Sequence, residues 1–178
     1  MTEPTPLFQS GNPPVVADER PMLDAWLDLH RDILLWKCQG VSAEDLVRRT
    51  VEPSSMSLIG LVRHMAEVER SWFRRVLAGE DDAPLIYDYT NSDDTDFDDV
   101  DAARVEEDFA IYRAEVARCR AVSAGYDLDA MGTSRRGNQI SLRWIYVHMI
   151  EEYARHNGHA DLIRERIDGQ TGDWPDDI

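Results

Sequence analysis

Lysine, cysteine and long apolar runs are all scarce in this sequence, and each shortage removes a class of reading. Lys37 is its one lysine, and 19 Lys+Arg stand against 35 Asp+Glu, a formal charge of −16 at pH 7. Such a surface repels phosphate, which argues against nucleic acid and anionic membrane lipid as partners. Cys38 and Cys119 are the only cysteines. They form no disulfide framework and no CxxC pair, so the expected setting is a reducing cytoplasm. No apolar run approaches the ~18–20 residues that cross a bilayer. The opening MTEPTPLFQSGNPPVVADER lacks the basic-then-apolar order of a signal peptide. No strand alternation of any length and no internal repeat stands out.

What the sequence has is helical periodicity. Its 178 residues, 43% of them hydrophobic, suffice for one domain with a sizeable core. Residues 1–19 read as an extended arm, 20–170 as a helical domain and 171–178 as a tail. Four long helices are expected. The first runs from about Pro21 to Lys37, with Gly40 after it and a short helix capped by Ser42 beyond. The second runs from about Ser57 to Leu77, with Leu58, Leu61, Met65, Val68, Trp72 and Val76 at spacings of three and four. The third runs from about Val100 to Ser123, with Gly125 as its C′ residue. The fourth runs from about Leu142 to Ile167, with Ser141 as N-cap. The segment GEDDAPLIYDYTNSDDTDFDD (79–99) reads as a solvated acidic loop anchored by Leu85, Ile86 and Tyr87; it lacks the pattern of a calcium loop. These elements predict an all-α, four-helix bundle with two long connections.

The fourth helix carries the candidate chemistry. On a wheel of about 100° per residue, Ile145, Met149, Ile163 and Ile167 mark an apolar stripe, and Glu152, His156 and His159 fall in its middle. An unpaired carboxylate in a core costs several kcal/mol. A divalent cation offsets that cost, because it is held by ionised carboxylate and neutral imidazole. Glu152 and His156 are one turn apart and lean the same way, so both can reach one ion. A third ligand must come from another helix, and His64 in GLVRHMAEVERSWF sits at the edge of the second stripe. His30 is a weaker candidate, and His148 reads as a flanking, outer residue. The competing readings are a metal-free hydrogen-bonded polar cluster and, for His159 alone, an ordinary core histidine. Gly158 either admits a close neighbour or breaks the helix; the apolar period beyond it favours a continuous helix.

Two segments, LIGLVRHMAEVERSWF (58–73) and SLRWIYVHMIEEYARHNGHADLIRERIDG (141–169), resemble the DinB-like superfamily of metal-dependent four-helix proteins. The likeness is especially close to its actinobacterial mini-circle branch, which is related to the N-terminal domain of mycothiol-dependent maleylpyruvate isomerase. That resemblance implies a divalent metal held by His64, Glu152 and His156, with zinc foremost and nickel, iron or manganese as alternatives. It also implies a low-molecular-weight thiol such as mycothiol, used for S-transfer to an electrophilic small molecule. The isomerase carries a further C-terminal domain, and this chain ends at Ile178, so S-transfer is expected over isomerisation. In this reading His159 orients a ligand or exchanges protons, and Arg135 and Arg136 hold an anionic substrate; the competing and favoured reading of the two arginines is ordinary exposed, solvated side chains. The alternative is a non-catalytic metal-binding or small-molecule-sensing bundle. Five tryptophans leave apolar area for a homodimer face.

Overall fold

The structure, a computed structural model, describes residues 12–171. Helix α1 spans Glu19–Cys38 and places Pro21 in its first turn, where a missing N–H costs nothing. Helix α2, Ala43–Leu46, is a single turn whose cap Ser42 accepts from the Asp45 N–H. Helix α3 spans Leu58–Glu69, and Ser57 caps it by accepting from the Gly60 N–H. The chain then continues without a break as eight π-helical residues, Arg70–Leu77, ending where the Ala78 N–H reaches the Phe73 carbonyl. Helix α4, Thr95–Asp98, is one turn inside the acidic connection. A 3₁₀ turn at Ala102–Arg104 leads into α5, Val105–Ala124. Helix α6, Leu142–Asp168, starts at Ser141, which accepts from the Trp144 N–H, and stops at Gly169 with φ +76°.

Helix α1 packs along α6 and α3 along α5, while α3 also touches α1 and α6. The four helices close on Leu27, Leu34, Leu61, Met65, Ile145 and Met149, all fully buried. This is the all-α bundle that the periodicity predicts. Among the described residues no helix is long and apolar enough to cross a membrane.

Several local expectations are corrected. The second long connection contains strands, β1 (Met131–Thr133) and β2 (Gln139–Ser141), paired antiparallel with Gly132 opposite Ile140. Three-residue strands are too short to show an alternation. Gly125 stays right-handed at φ −83°, its N–H returning to the Val122 carbonyl, so it is not a left-handed cap. The α6 helix does run through Gly158, but that residue is exposed with open space beside it, so no close approach explains the glycine. Residues 1–11 of the expected arm and 172–178 of the expected tail lie outside the described residues.

The acidic connection is not wholly solvated either. Leu85 is half-exposed and anchors little, whereas Thr95 and Asp96 are buried. Buried Arg63 donates to the backbone carbonyls of Asp96 (3.0 Å) and Thr95 (3.3 Å) and pairs with Asp108 at 2.9 Å. Its guanidinium also lies 3.9 Å from the centre of the Tyr87 ring. Phe97 packs over Gly60, where a Cβ would meet its ring at 3.0 Å. One buried arginine of α3 therefore pins part of a carboxylate-rich segment to the bundle.

Candidate metal centre

His64 projects from α3, and Glu152 and His156 project from successive turns of α6. The donor atoms of these three residues lie within 4.8 Å of one another. His156 Nε2 is 3.5 Å from Glu152 Oε2, and the His64 and His156 rings are 4.8 Å apart. Ligands about 2.0–2.1 Å from one tetrahedral ion are roughly 3.4 Å apart, so the Glu152–His156 spacing fits a shared ion. The donor set, two imidazoles and a carboxylate, also suits a divalent cation with open coordination positions.

The wheel reading needs one correction. The centre of the buried face of α6 is held by Leu142, Met149, Tyr153 and Ala160, all fully buried, about 60° round from Ile145. Glu152 and His159 lie on the flank of that face rather than in its middle, beside His148, whose flanking position was expected. This is why the Glu152 side chain keeps 18% of its surface exposed; His64, facing it from α3, keeps 26%. The cluster is a recess at the edge of the core, and a ligand can reach it.

Each member of the cluster has a neighbour on its outer side. Asp96 Oδ2 lies 2.7 Å from His64 Nδ1, which makes Nδ1 the protonated nitrogen and leaves the Nε2 lone pair free. His148 Nε2 lies 3.5 Å from Glu152 Oε1, the oxygen turned away from His156. The His148 ring is held between Trp144, stacked at 4.8 Å, and Trp72, edge-on at 4.6 Å. His159 Nδ1 lies 3.4 Å from His156 Nδ1, opposite the nitrogen that faces Glu152. Burial, and next the proximity of His64 and His159, push the His156 imidazole down to about 4, so it is neutral and able to ligate near neutral pH. His30 is elsewhere, its carbonyl accepting from Asn157 at 3.0 Å.

A cavity of about 430 Å³ opens beside His64, lined also by Glu67, Trp72, Tyr89, Asp96 and Arg135. Arg136 is exposed on the same turn as Arg135 and is not among the residues that line it. Both thiols of the chain are out of reach of this space. Cys38 is buried, and burial pushes its thiol up to about 12; Cys119 is buried beside Glu69 and Glu115 and is also raised.

Sequence reasoning missed Asp96, Arg63 and a second buried network. In that network Glu69 is fully buried, takes both arms of Arg31 at 2.7 and 2.8 Å, and accepts from the Tyr153 hydroxyl at 2.9 Å. Tyr112 in turn meets Tyr153, hydroxyl to hydroxyl, at 2.9 Å. A signal for Asp96 existed: Arg63 follows the apolar run LIGLV at the start of α3 and needs an acceptor, and Phe97 is an apolar residue inside a carboxylate run.

The family match over residues 22–169, on an all-α bundle, places the chain in the class of DinB-like proteins. Within that class this chain belongs to the mycothiol-S-transferase family, whose model matches residues 22–169. No curated protein is found to match the chain.

Proposed function

We propose that the protein is a divalent-metal-dependent S-transferase that joins the sulfur of mycothiol to an electrophilic carbon of a small molecule. The observation that carries this reading is the convergence of His64, Glu152 and His156 beside an open cavity. The burial of both cysteines supports it, because the sulfur must then come from a separate thiol. His64, Glu152 and His156 hold the ion; zinc suits the set, and nickel, iron and manganese tolerate the same mixed donors. A divalent ion bound there lowers the pKa of a thiol that contacts it, so that the nucleophilic thiolate exists at neutral pH.

The chain's own residues do the rest. Asp96, His148 and His159 fix the orientation of His64, Glu152 and His156 respectively. His159, half-buried, stands at the edge of the site and passes the thiol proton to solvent. Trp72 and Tyr89 give the cavity an apolar wall that keeps water from the nucleophile. In the transfer an S–C bond forms as the S–H proton departs. The electrophile either loses its leaving group with the bonding electrons or, if it is an activated alkene, takes a proton at the adjacent carbon.

The test is metal content of untagged protein together with mycothiol-dependent conjugation of a fluorogenic electrophile. About one divalent ion per chain is expected, with both metal and turnover lost in His64→Ala and Glu152→Ala. Turnover that persists without metal would sink the reading. Metal uptake without turnover would reduce the protein to a metal-binding module.

A further inference from the structure

Arg75 and Arg135 are brought to one cavity by a very close backbone contact. The β1–β2 hairpin lies on the π-helical turns, and a Cβ on Gly132 would sit 2.2 Å from the Val76 carbonyl oxygen and 2.8 Å from Leu77 Cα. Only a residue without a side chain lets β1 come so near. The hairpin turn thereby carries Arg135 to a cavity of about 580 Å³, whose walls also include Arg75, Asp81, Met131 and Thr133. Arg135 lines the His64 cavity as well, so the two spaces share a wall.

The charges here break the pattern of the molecule. In a chain of formal charge −16, the neighbouring arginines of the π-helical turns have carboxylate partners: Arg70 pairs with Glu67, and Arg74 with Glu80 and Glu115; Arg113, Arg136 and Arg166, which have none among the described residues, are exposed. Among the described residues neither Arg75 nor Arg135 has a carboxylate within 4.0 Å, and Arg75 Nε is buried with no hydrogen-bond partner. Burial, and then the positive charges of Arg135 and Arg70, push the Arg75 guanidinium below its ordinary range; the opposing pull of Asp81 is smaller. A buried unpaired N–H is unfavourable in the free protein, and so is the like charge of the exposed Arg135 on the same cavity. One anion between them relieves both.

We propose that Arg75 and Arg135 form a binding site for a carboxylate of the electrophilic substrate, with the substrate's reactive carbon in the adjoining cavity at His64. Guanidinium groups present paired N–H donors that match the two oxygens of a carboxylate. The sequence pairs Arg135 with its neighbour Arg136; the structure pairs it with Arg75, sixty positions earlier on a different element. The term substrate rests on the S-transferase reading, whereas the anion site does not. It selects carboxylate-bearing electrophiles over neutral ones of the same shape.

The test uses the full chain stripped of metal, with maleate as probe, neutral maleamide as control, and sodium chloride holding ionic strength constant. Maleate is expected to raise the thermal midpoint saturably by about 3 °C, and maleamide to leave it unchanged. The rise disappears in Arg75→Gln and in Arg135→Gln and persists in His64→Ala. Without ligand, Arg75→Gln melts no lower than the parent, because it removes a repulsion, so loss of the response is not loss of the fold. No saturable rise in the parent, or an equal rise in the two arginine variants, overturns the proposal. A rise that behaves as expected while the chain takes up no metal removes the S-transferase reading and leaves the anion site standing.

Discussion

At the scale of single residues, the three candidate ligands are less distinctive than the side chains behind them. Asp96 is the clearest case. Its carboxylate fixes the His64 tautomer, and its segment is held separately, through the backbone carbonyls of Thr95 and Asp96, by Arg63. Asp96→Asn therefore leaves the segment docked and changes the charge behind the ligand. Metal affinity by chelator competition is expected to fall about 10–100-fold with little change in melting temperature; unchanged affinity would show that Asp96 only holds the loop. His156 sets a pH dependence in metal-free protein. Its imidazole protonates near the ordinary 6.5 in the unfolded chain and near 4 in the folded one. Between those values the unfolded state binds more protons, so this contribution is present above about pH 6.5 and is lost as pH falls toward 4. The loss is on the order of 2–3 kcal/mol. Denaturant titrations from pH 7 to pH 4 should show it, and His156→Gln should lack this part of the slope.

At the scale of elements, legibility follows how local the determinants are. The four helices and their caps at Ser42, Ser57 and Ser141 could be read from the sequence, because a hydroxyl before a periodic apolar run needs only its own neighbours. The i, i+4 pair Glu152 and His156 was legible for the same reason. The α4 turn was not, because its burial depends on Arg63, more than thirty positions away. The hairpin depends on Gly132 meeting the π-helical turns, and neither partner carries a strong pattern by itself. The Arg31–Glu69 pair joins α1 to the end of α3 and is invisible to either helix alone. Arg31→Met is expected to leave the Glu69 carboxylate buried with only Tyr153 as donor and to cost about 3–5 kcal/mol. Arg31→Met combined with Glu69→Leu should recover most of that. Urea unfolding of the single and double variants measures both. A single variant as stable as the parent would mean that the Arg31–Glu69 pair contributes nothing net to stability.

At the scale of the whole molecule, metal binding and folding should be one equilibrium. His64 reaches the cluster from α3 while Glu152 and His156 come from α6, so the three donors meet only when those helices are packed. The unfolded chain offers no comparable site apart from the local Glu152–His156 pair. An ion that prefers the native state stabilises it by RT ln(1 + [M]/Kd), or about 4 kcal/mol at a thousandfold excess over Kd. For a domain of this size that corresponds to a rise of roughly 8–16 °C in melting temperature. The overall charge of −16 enriches cations near the surface but cannot select this position, so a nonspecific effect would respond to any divalent ion and weaken with salt. The expected result is a saturable rise with zinc, reversed by a chelator and retained at 0.3 M sodium chloride, where the Debye length is only about 5–6 Å. His64→Ala should abolish most of the rise although it leaves the Glu152–His156 pair intact, because two donors on one helix hold an ion far more weakly than three. A rise that survived undiminished in His64→Ala would locate the ion on α6 alone, at the second grouping of His148, Glu151 and Glu152, and would detach it from the cavity beside His64.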